Sequence, residues 1–328
     1  MTSFWSRRLV LVTGGCGFIG SHLVEDLTRL GARVRVLGKY NSRSDIGFLN
    51  RADLGDVDVR LGDVADPWFV REAVRDVDTV FHLAALIGIP YSYAAPSQYI
   101  DTNVRGTLAV LEAARAEGVR RVVHTSTSET YGTAQYTPID ESHPLVAQSP
   151  YSATKIAADK LAESYYLSYG LAVTTLRPFN TYGPRQSMRA VIPTLMTQAL
   201  HASEIVLGST DPVRDMNFVT DTVAGFTLVG AADGVEGETY NVGSGKGFTI
   251  GEILHLVQRV AETDKPVRVV EERVRPATSE VGALICDYSK AADELGYAPR
   301  ISLEAGLSSV RDYLAANPPG GDPAGYRV

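Results

Sequence analysis

Cysteine is nearly missing from this 328-residue chain, with only Cys16 and Cys286 present. Two cysteines make no disulfide framework, which excludes the stapled secreted scaffolds and fits a reducing compartment. No apolar run approaches the roughly 20 residues that span a bilayer, and the most apolar stretch, residues 77–90, is interrupted by Asp78 and His82. Positive charge is also short. The 31 basic residues against 38 acidic ones leave a net charge of −7, opposite to the basic face of a nucleic-acid binder. The opening MTSFWSRRLVLVTGG has neither the h-region nor the small-residue cleavage site of a signal peptide. These absences set the expectation of a cytoplasmic protein with no membrane and no nucleic-acid partner. Internal repeats are missing, and the one low-complexity segment is PPGGDPAG from Pro318, a tail expected to fray.

What is present is an ordinary globular composition, 45% hydrophobic and 21% charged, long enough for one elaborated domain or two. Apolar runs over 8–13, 34–37, 57–61, 79–83, 121–126 and 172–177 read as strands. Helical patterns over 18–30, 66–74, 99–117 and 150–169 lie between most of them. Regular alternation of this kind means a parallel sheet with helices on both faces. Strands as continuously apolar as VLVT and RVVHTS suit a sheet covered twice. The expected class is therefore α/β, a Rossmann-like doubly wound parallel sheet.

After Arg177 the rhythm breaks at Pro178, Gly183, Pro184 and Pro193. A helix over 192–201 stands isolated, a strand over 239–242 returns to the sheet, and helices follow over 250–261 and 288–295. The expected division is a large domain of residues 1–180 plus about 215–245. A small C-terminal α/β lobe takes about 181–214 and 246–328.

The run Thr13-Gly14-Gly15-Cys16-Gly17-Phe18-Ile19-Gly20 follows the first strand and opens the first helix. Glycines there permit a tight turn and close backbone approach, and the free N–H groups of the helix suit a pyrophosphate. Cys16 reads as a small filler in that turn. A carboxylate that selects NAD is expected at the end of the second strand, where this chain has Gly38 instead. Lys39 and Arg43 nearby read equally as contacts to a 2′-phosphate or as solvated charges, which leaves NAD and NADP both open. Gly62-Asp63-Val64 ends the third strand, and His82-Leu83-Ala84-Ala85 ends the fourth with small residues.

Tyr151 and Lys155 are four apart on a predicted helix and so share a face. A neighbouring ammonium favours a phenolate and lowers the phenol below its nominal pKa of about 10. Thr127-Ser128-Glu129 stands upstream.

Together TGGCGFIG, HLAA, TSTSETYG, YSATK, RPFNTYGPRQ and RPATSE resemble the extended short-chain dehydrogenases/reductases, specifically their nucleotide-sugar epimerases and dehydratases. The resemblance runs over nearly the whole chain. It implies a Rossmann domain with tightly held NAD (NADP not excluded) and a small lobe that grips a nucleoside-diphosphate sugar. A homodimer through the helices at 99–117 and 150–169 is implied as well, and no metal. Carried over by position, Tyr151 is the base, Lys155 its partner and ribose ligand, and Thr127 the hydroxyl that bonds the sugar O4. Cofactor contacts fall on Gly14, Gly17, Phe18, Ile19, Gly20, Lys39, Asp63, Val64, Leu83, Ala84, Ala85 and Thr125, beside Tyr151 and Lys155. Asn180, Arg214 and Arg275 match residues that meet the diphosphate, and Glu280 one that meets the nucleotide's ribose.

The subfamily turns on Ser128 and Glu129. Similar 4-epimerases generally lack a carboxylate after the catalytic threonine, whereas 4,6-dehydratases commonly show Thr-Asp-Glu. UDP-glucuronate decarboxylases often show Thr-Ser-Glu, as does a branch of dehydratases acting on N-acetylated sugars. The context YNS at 40–42, SPYSATKIAADK and RPFNTYGPRQS looks most like that branch, the LegB type. The implied activity is a nucleotide-sugar 4,6-dehydratase in which Glu129 deprotonates C5, with Ser128 standing where an acid is common. A 4-epimerase or decarboxylase sharing the 4-keto intermediate is the alternative. A non-catalytic nucleotide-sensing module comes last, since Tyr151 and Lys155 are both intact.

Overall fold

Seven apolar segments line up as one parallel sheet: β1 (Leu9–Thr13), β2 (Arg33–Lys39), β3 (Asp58–Gly62), β4 (Thr79–His82), β5 (Arg121–Thr125), β6 (Val173–Pro178) and, from far along the chain, β10 (Thr239–Val242). The structure, a computed structural model, describes residues 2–51, 55, 57–270 and 281–320. The strand order is β10-β6-β5-β4-β1-β2-β3, with every pair parallel. The order reverses between β1 and β4, where Thr13 lies beside His82. Open α/β sheets bind their ligands at the carboxyl ends of the strands at such a switch.

Both faces of the sheet are covered, as its apolar strands require. Val10 and Val12 of β1 join one apolar cluster and Leu11 the other, because side chains alternate along a strand. The first cluster takes in α1 (Thr2–Trp5), α2 (Phe18–Arg29) and α9 (Val219–Ala231). The second takes in α3 (Pro67–Val74), α6 (Gly106–Glu117) and α7 (Pro150–Tyr169). Local signals place α7 sharply. Ser149 accepts from Ser152 N at its start, Pro150 occupies the first turn, and Gly170 closes it at φ +66°.

The helix expected over 99–117 is present but not uniform. After α4 (Ile89–Ala94), α5 (Pro96–Tyr99) stops at Tyr99, a wide π turn spans 100–105, and α6 resumes at Gly106. The turn carries Asn103 inward, where its amide brackets Leu86 N and O at 2.8 and 3.0 Å and reaches the Thr154 hydroxyl. Such turns gather at functional sites.

Beyond β6 the elements are shorter. A four-stranded sheet comprises β7 (Asn180–Tyr182), β9 (Val213–Phe218), β11 (Gly247–Thr249) and β13 (Ala283–Leu284), while β8 (Ile205–Leu207) pairs with β12 (Val267–Val269). The helix expected to stand alone, α8 (Val191–His201), instead packs on α10 (Ile250–Val260) and α12 (Leu303–Ala316) through Leu195, Met196, Ile253 and Leu307. A short α11 (Ser289–Leu295) lies against β10. Most of the tail expected to fray, residues 321–328, lies outside the described residues.

Candidate active site

The glycine turn folds as a cradle. Gly14 takes φ +72°, its N–H donates to Leu37 O at 2.8 Å, and Gly17 N returns to Gly14 O at 3.0 Å. A Cβ on Gly20 would lie 2.3 Å from Gly14 O, and one on Gly14 would lie 2.9 Å from Ala84 N. So β1, the start of α2 and the Leu83-Ala84 end of β4 pack backbone to backbone. Thr13 joins them, donating or accepting with His82 Nδ1 at 2.9 Å and receiving Ala84 N at 3.1 Å. Phe18 and Ile19 open α2 behind the turn, and Ala85 follows Ala84.

At the ribose end, Gly38 is where it is because Cys16 needs the room. A Cβ there would meet Cys16 Sγ at 2.5 Å. Burial, then the charge of Asp45, pushes the Cys16 thiol up to about 11, which agrees with its reading as an inert filler. Lys39 pairs with Asp63 across the ends of β2 and β3, and that bond holds the Asp63 carboxyl below its ordinary value. The two cofactor candidates thus neutralise each other. Val64 is buried against Gly106.

Tyr151, Lys155, Thr127 and Glu129 meet at the carboxyl end of β5. Thr127 caps the turn of residues Ser128–Tyr131, accepting from Glu129 N at 3.3 Å, and its side chain is near enough to favour the Tyr151 phenolate. The Ser152 hydroxyl donates to Glu129 O at 2.8 Å, tying this turn to α7. Ser128 is buried on the same turn. One expectation fails here. Burial, outweighing the Thr127 hydroxyl and joined by the charge of Glu129, pushes the Tyr151 phenol well above its ordinary value. The Lys155 ammonium donates to the Thr125 carbonyl rather than to the phenol. Burial also lowers Lys155 itself, to about 8, against the pull of Asp159.

Two predicted contacts hold unspent polar atoms. Thr125 Oγ1 and Asn180 Oδ1 are buried with no partner among the described residues. Buried polar atoms without partners are rare and mark a ligand or a water. With the glycine cradle, they fit a dinucleotide and a polar substrate. Arg214, by contrast, donates to Val213 O and Val281 O at 3.0 and 2.8 Å, beside the segment that held two further predictions. Arg275 and Glu280 lie outside the described residues.

Sequence reading missed several side chains around this cleft. Arg189 reaches Gly88, where a Cβ would stand 3.4 Å from its Nη1, and its charge bears on Tyr99. Tyr99 packs edge-on against Tyr151 with ring centres 6.2 Å apart. Arg185 clamps the 183–186 loop to α2, donating to Ser21 Oγ at 3.1 Å and Glu25 Oε1 at 2.6 Å. The GPRQ motif was the available signal for Arg185; an unremarkable loop arginine at 189 carried none.

Known proteins resemble this chain over nearly its whole length. The profile of the family described as GDP-mannose 4,6-dehydratase fits residues 11–310. A dTDP-glucose 4,6-dehydratase of Streptomyces antibioticus is 35% identical, over 94% of this chain and 92% of its own length. A UDP-glucose 4-epimerase of Streptomyces lividans is 32% identical, covering 96% and 98%. Among solved structures, the dTDP-glucose 4,6-dehydratase DesIV of Streptomyces venezuelae, determined with NAD bound, superposes with a TM-score of 0.87. It is 33% identical, over 94% of this chain and 97% of that one.

Proposed function

The chain belongs to the GDP-mannose 4,6-dehydratase family of nucleotide-sugar dehydratases and epimerases, and from that premise we propose that it is an NAD-dependent nucleotide-sugar 4,6-dehydratase. The observation that carries the reading is Glu129. Its carboxylate stands on the Thr127-capped turn close enough to charge the environment of Tyr151. A 4-epimerase has no use for a second base at that point.

In this reading the cradle of Gly14, Gly17 and Gly20 takes the dinucleotide diphosphate, and Lys155 with Thr125 takes the nicotinamide ribose. The chemistry supplied by NAD when bound is storage of the C4 hydride and its return at C6. Tyr151 accepts the C4 hydroxyl proton, helped by Thr127 and by the positive charge of the nicotinamide, which favours a phenolate. The 4-ketone acidifies the C5 hydrogen, which Glu129 removes; that proton leaves with the C6 hydroxide as water, and the proton that C5 needs when the hydride returns to C6 balances the one Tyr151 took from the C4 hydroxyl. General-base help of this kind is worth roughly 10²–10⁴-fold.

Asn180, at the end of the first domain, and Arg214, Arg275 and Glu280, on the lobe of about 181–214 and 246–328, are proposed for the nucleoside diphosphate, with 1–180 and about 215–245 holding the dinucleotide. A homodimer through α6 and α7 is supported by Leu108, Leu167 and Tyr169, which those helices leave exposed. Free thiols at Cys16 and Cys286 support a reducing cytoplasm. No described helix is long and apolar enough to cross a membrane.

A 4-epimerase is the second reading, favoured by the lack of an acid at Ser128 and by the 32% identical epimerase. Glu129→Gln separates the two with dTDP-glucose as probe. A dehydratase variant should still reduce bound NAD, read as absorbance of the reduced nicotinamide, yet lose at least about 100-fold in release of 4-keto-6-deoxy sugar. Tyr151→Phe should lose the reduction as well. Full turnover by Glu129→Gln removes Glu129 from the chemistry.

A further inference from the structure

Beneath the proposed reacting groups lies a buried charge cluster that the reaction itself leaves unused. Tyr151, Lys155 and Asp159 recur every four residues along α7 and so share one face. Asp159 is 5% exposed, and both oxygens are engaged. Oδ1 meets His124 Nε2 at 3.0 Å, while Oδ2 accepts from the Ser126 hydroxyl at 2.6 Å and from Arg177 Nη2 at 3.0 Å. Arg177 also donates to the Tyr131 hydroxyl at 3.1 Å, which in turn donates to Asn241 Oδ1 at 2.8 Å.

A carboxylate this deep is costly unless cations and donors surround it. Burial opposes its ionisation, yet the His124 bond and the Arg177 charge outweigh that and hold Asp159 at about 2. It is therefore a permanent negative charge. Pairing Arg177 accounts for its presence but not for its register on the Tyr151 and Lys155 face.

Other charged and titratable groups stand around the pair. His82 comes from β4 and His124 from β5, their tilted rings 5.9 Å apart, with Glu129 and Tyr131 from the Thr127 turn and Tyr99 from α5. Lys160 and Glu163 join Asp159 and Arg177 around a cavity of about 560 Å³. Of these, Asp159 supplies the charge that favours the Lys155 ammonium.

We propose that Asp159 is a positioning residue of the active site: clamped by His124, Ser126 and Arg177, it keeps Lys155 an ammonium directed at the Thr125 carbonyl, and so sets the alkaline limit of turnover. The inference rests on the reading of Tyr151 and Lys155 as the reacting pair. Its sign follows from charge. Lys155 is charged below its midpoint and neutral above it, so removing a nearby anion moves that midpoint down.

The test is the titration of Lys155 in the whole protein, followed by NMR of nitrogen-labelled lysine side chains. The chain has six lysines, and Lys155→Met assigns the signal. The parent midpoint is expected near 8. Asp159→Asn should lower it by about one pH unit or more, and the alkaline limb of dTDP-glucose turnover should move equally. Asp159→Glu, which keeps the charge, should bring the midpoint most of the way back to the parent value. Should Asp159→Asn fail to fold with Arg177 unpaired, Asp159→Asn with Arg177→Met removes both charges, and a lower midpoint is still expected. An unmoved midpoint overturns the proposal and leaves Asp159 as packing. Full turnover by Lys155→Met would instead overturn the reading of the site, while the titration would still report on Asp159.

Discussion

At Tyr151, spacing and environment pull in different directions. Four-residue spacing does put the phenol and the Lys155 ammonium on one face, but the ammonium is committed to Thr125 O. Helical spacing says which side chains are neighbours; it does not say where a flexible lysine finds its best acceptor. The group that does favour the phenolate is Thr127. Thr127→Val deletes the hydroxyl that favours the phenolate, so the Tyr151 pKa rises and the base form appears only at higher pH. The acidic limb of the pH–rate profile should move up, and kcat at a fixed pH on that limb should fall about tenfold if the limb moves by one pH unit. Thr127→Ser keeps the hydroxyl and should keep the parent profile. An acidic limb that stays put in Thr127→Val would take Thr127 out of the proton path. Cys16 was readable as filler because small residues crowd its turn. The Lys39–Asp63 pair was not, since it depends on the register of β2 against β3.

Elements that carry strong periodicity were visible beforehand. The seven long strands read as apolar runs, and α7 was bounded to the residue by Pro150 and Gly170. Short elements were not. Strands β7, β8, β11, β12 and β13 have two or three residues each, too few to show alternation. Helix α9 was missed because VTDTVAGFTLVGA is buried around most of its circumference and shows no polar face. Its Asp221 is turned inward to accept from Arg300 N and Ile301 N. The close seating of α2 on β1 gives a prediction of its own. Gly20→Ala would press a methyl onto Gly14 O at 2.3 Å and force the cradle open. NADH affinity, read by fluorescence titration, should fall at least about tenfold, the loss of one or two phosphate-binding N–H contacts. Circular dichroism should report an intact fold. Parent-like affinity would mean the cradle does not hold the dinucleotide diphosphate.

Over the whole molecule, topology does what no single motif can. The sheet brings Gly14 after β1, Ala84 after β4 and Thr125 of β5 to the carboxyl ends of neighbouring strands, and Asn180 of β7 follows directly on β6, so four distant parts of the chain contribute. Motifs named these residues. The sheet order sets Gly14, Ala84 and Thr125 at the carboxyl ends of neighbouring strands, and Thr125 and Asn180 carry buried side-chain oxygens without a partner among the described residues. Asp159 was invisible in advance because an aspartate on a helix ordinarily faces water. Only the approach of β5 and β6 behind α7 turns it into a buried anion.

The reaction is likewise a property of the assembled cleft, since a hydride must leave one carbon and reach another without escaping. dTDP-glucose carrying deuterium at C4 tests that directly, with the product followed by NMR and mass. The account predicts a 4-keto-6-deoxy sugar with the deuterium in its C6 methyl group. Deuterium left on C4 of an inverted sugar, or exchanged into water, would contradict it.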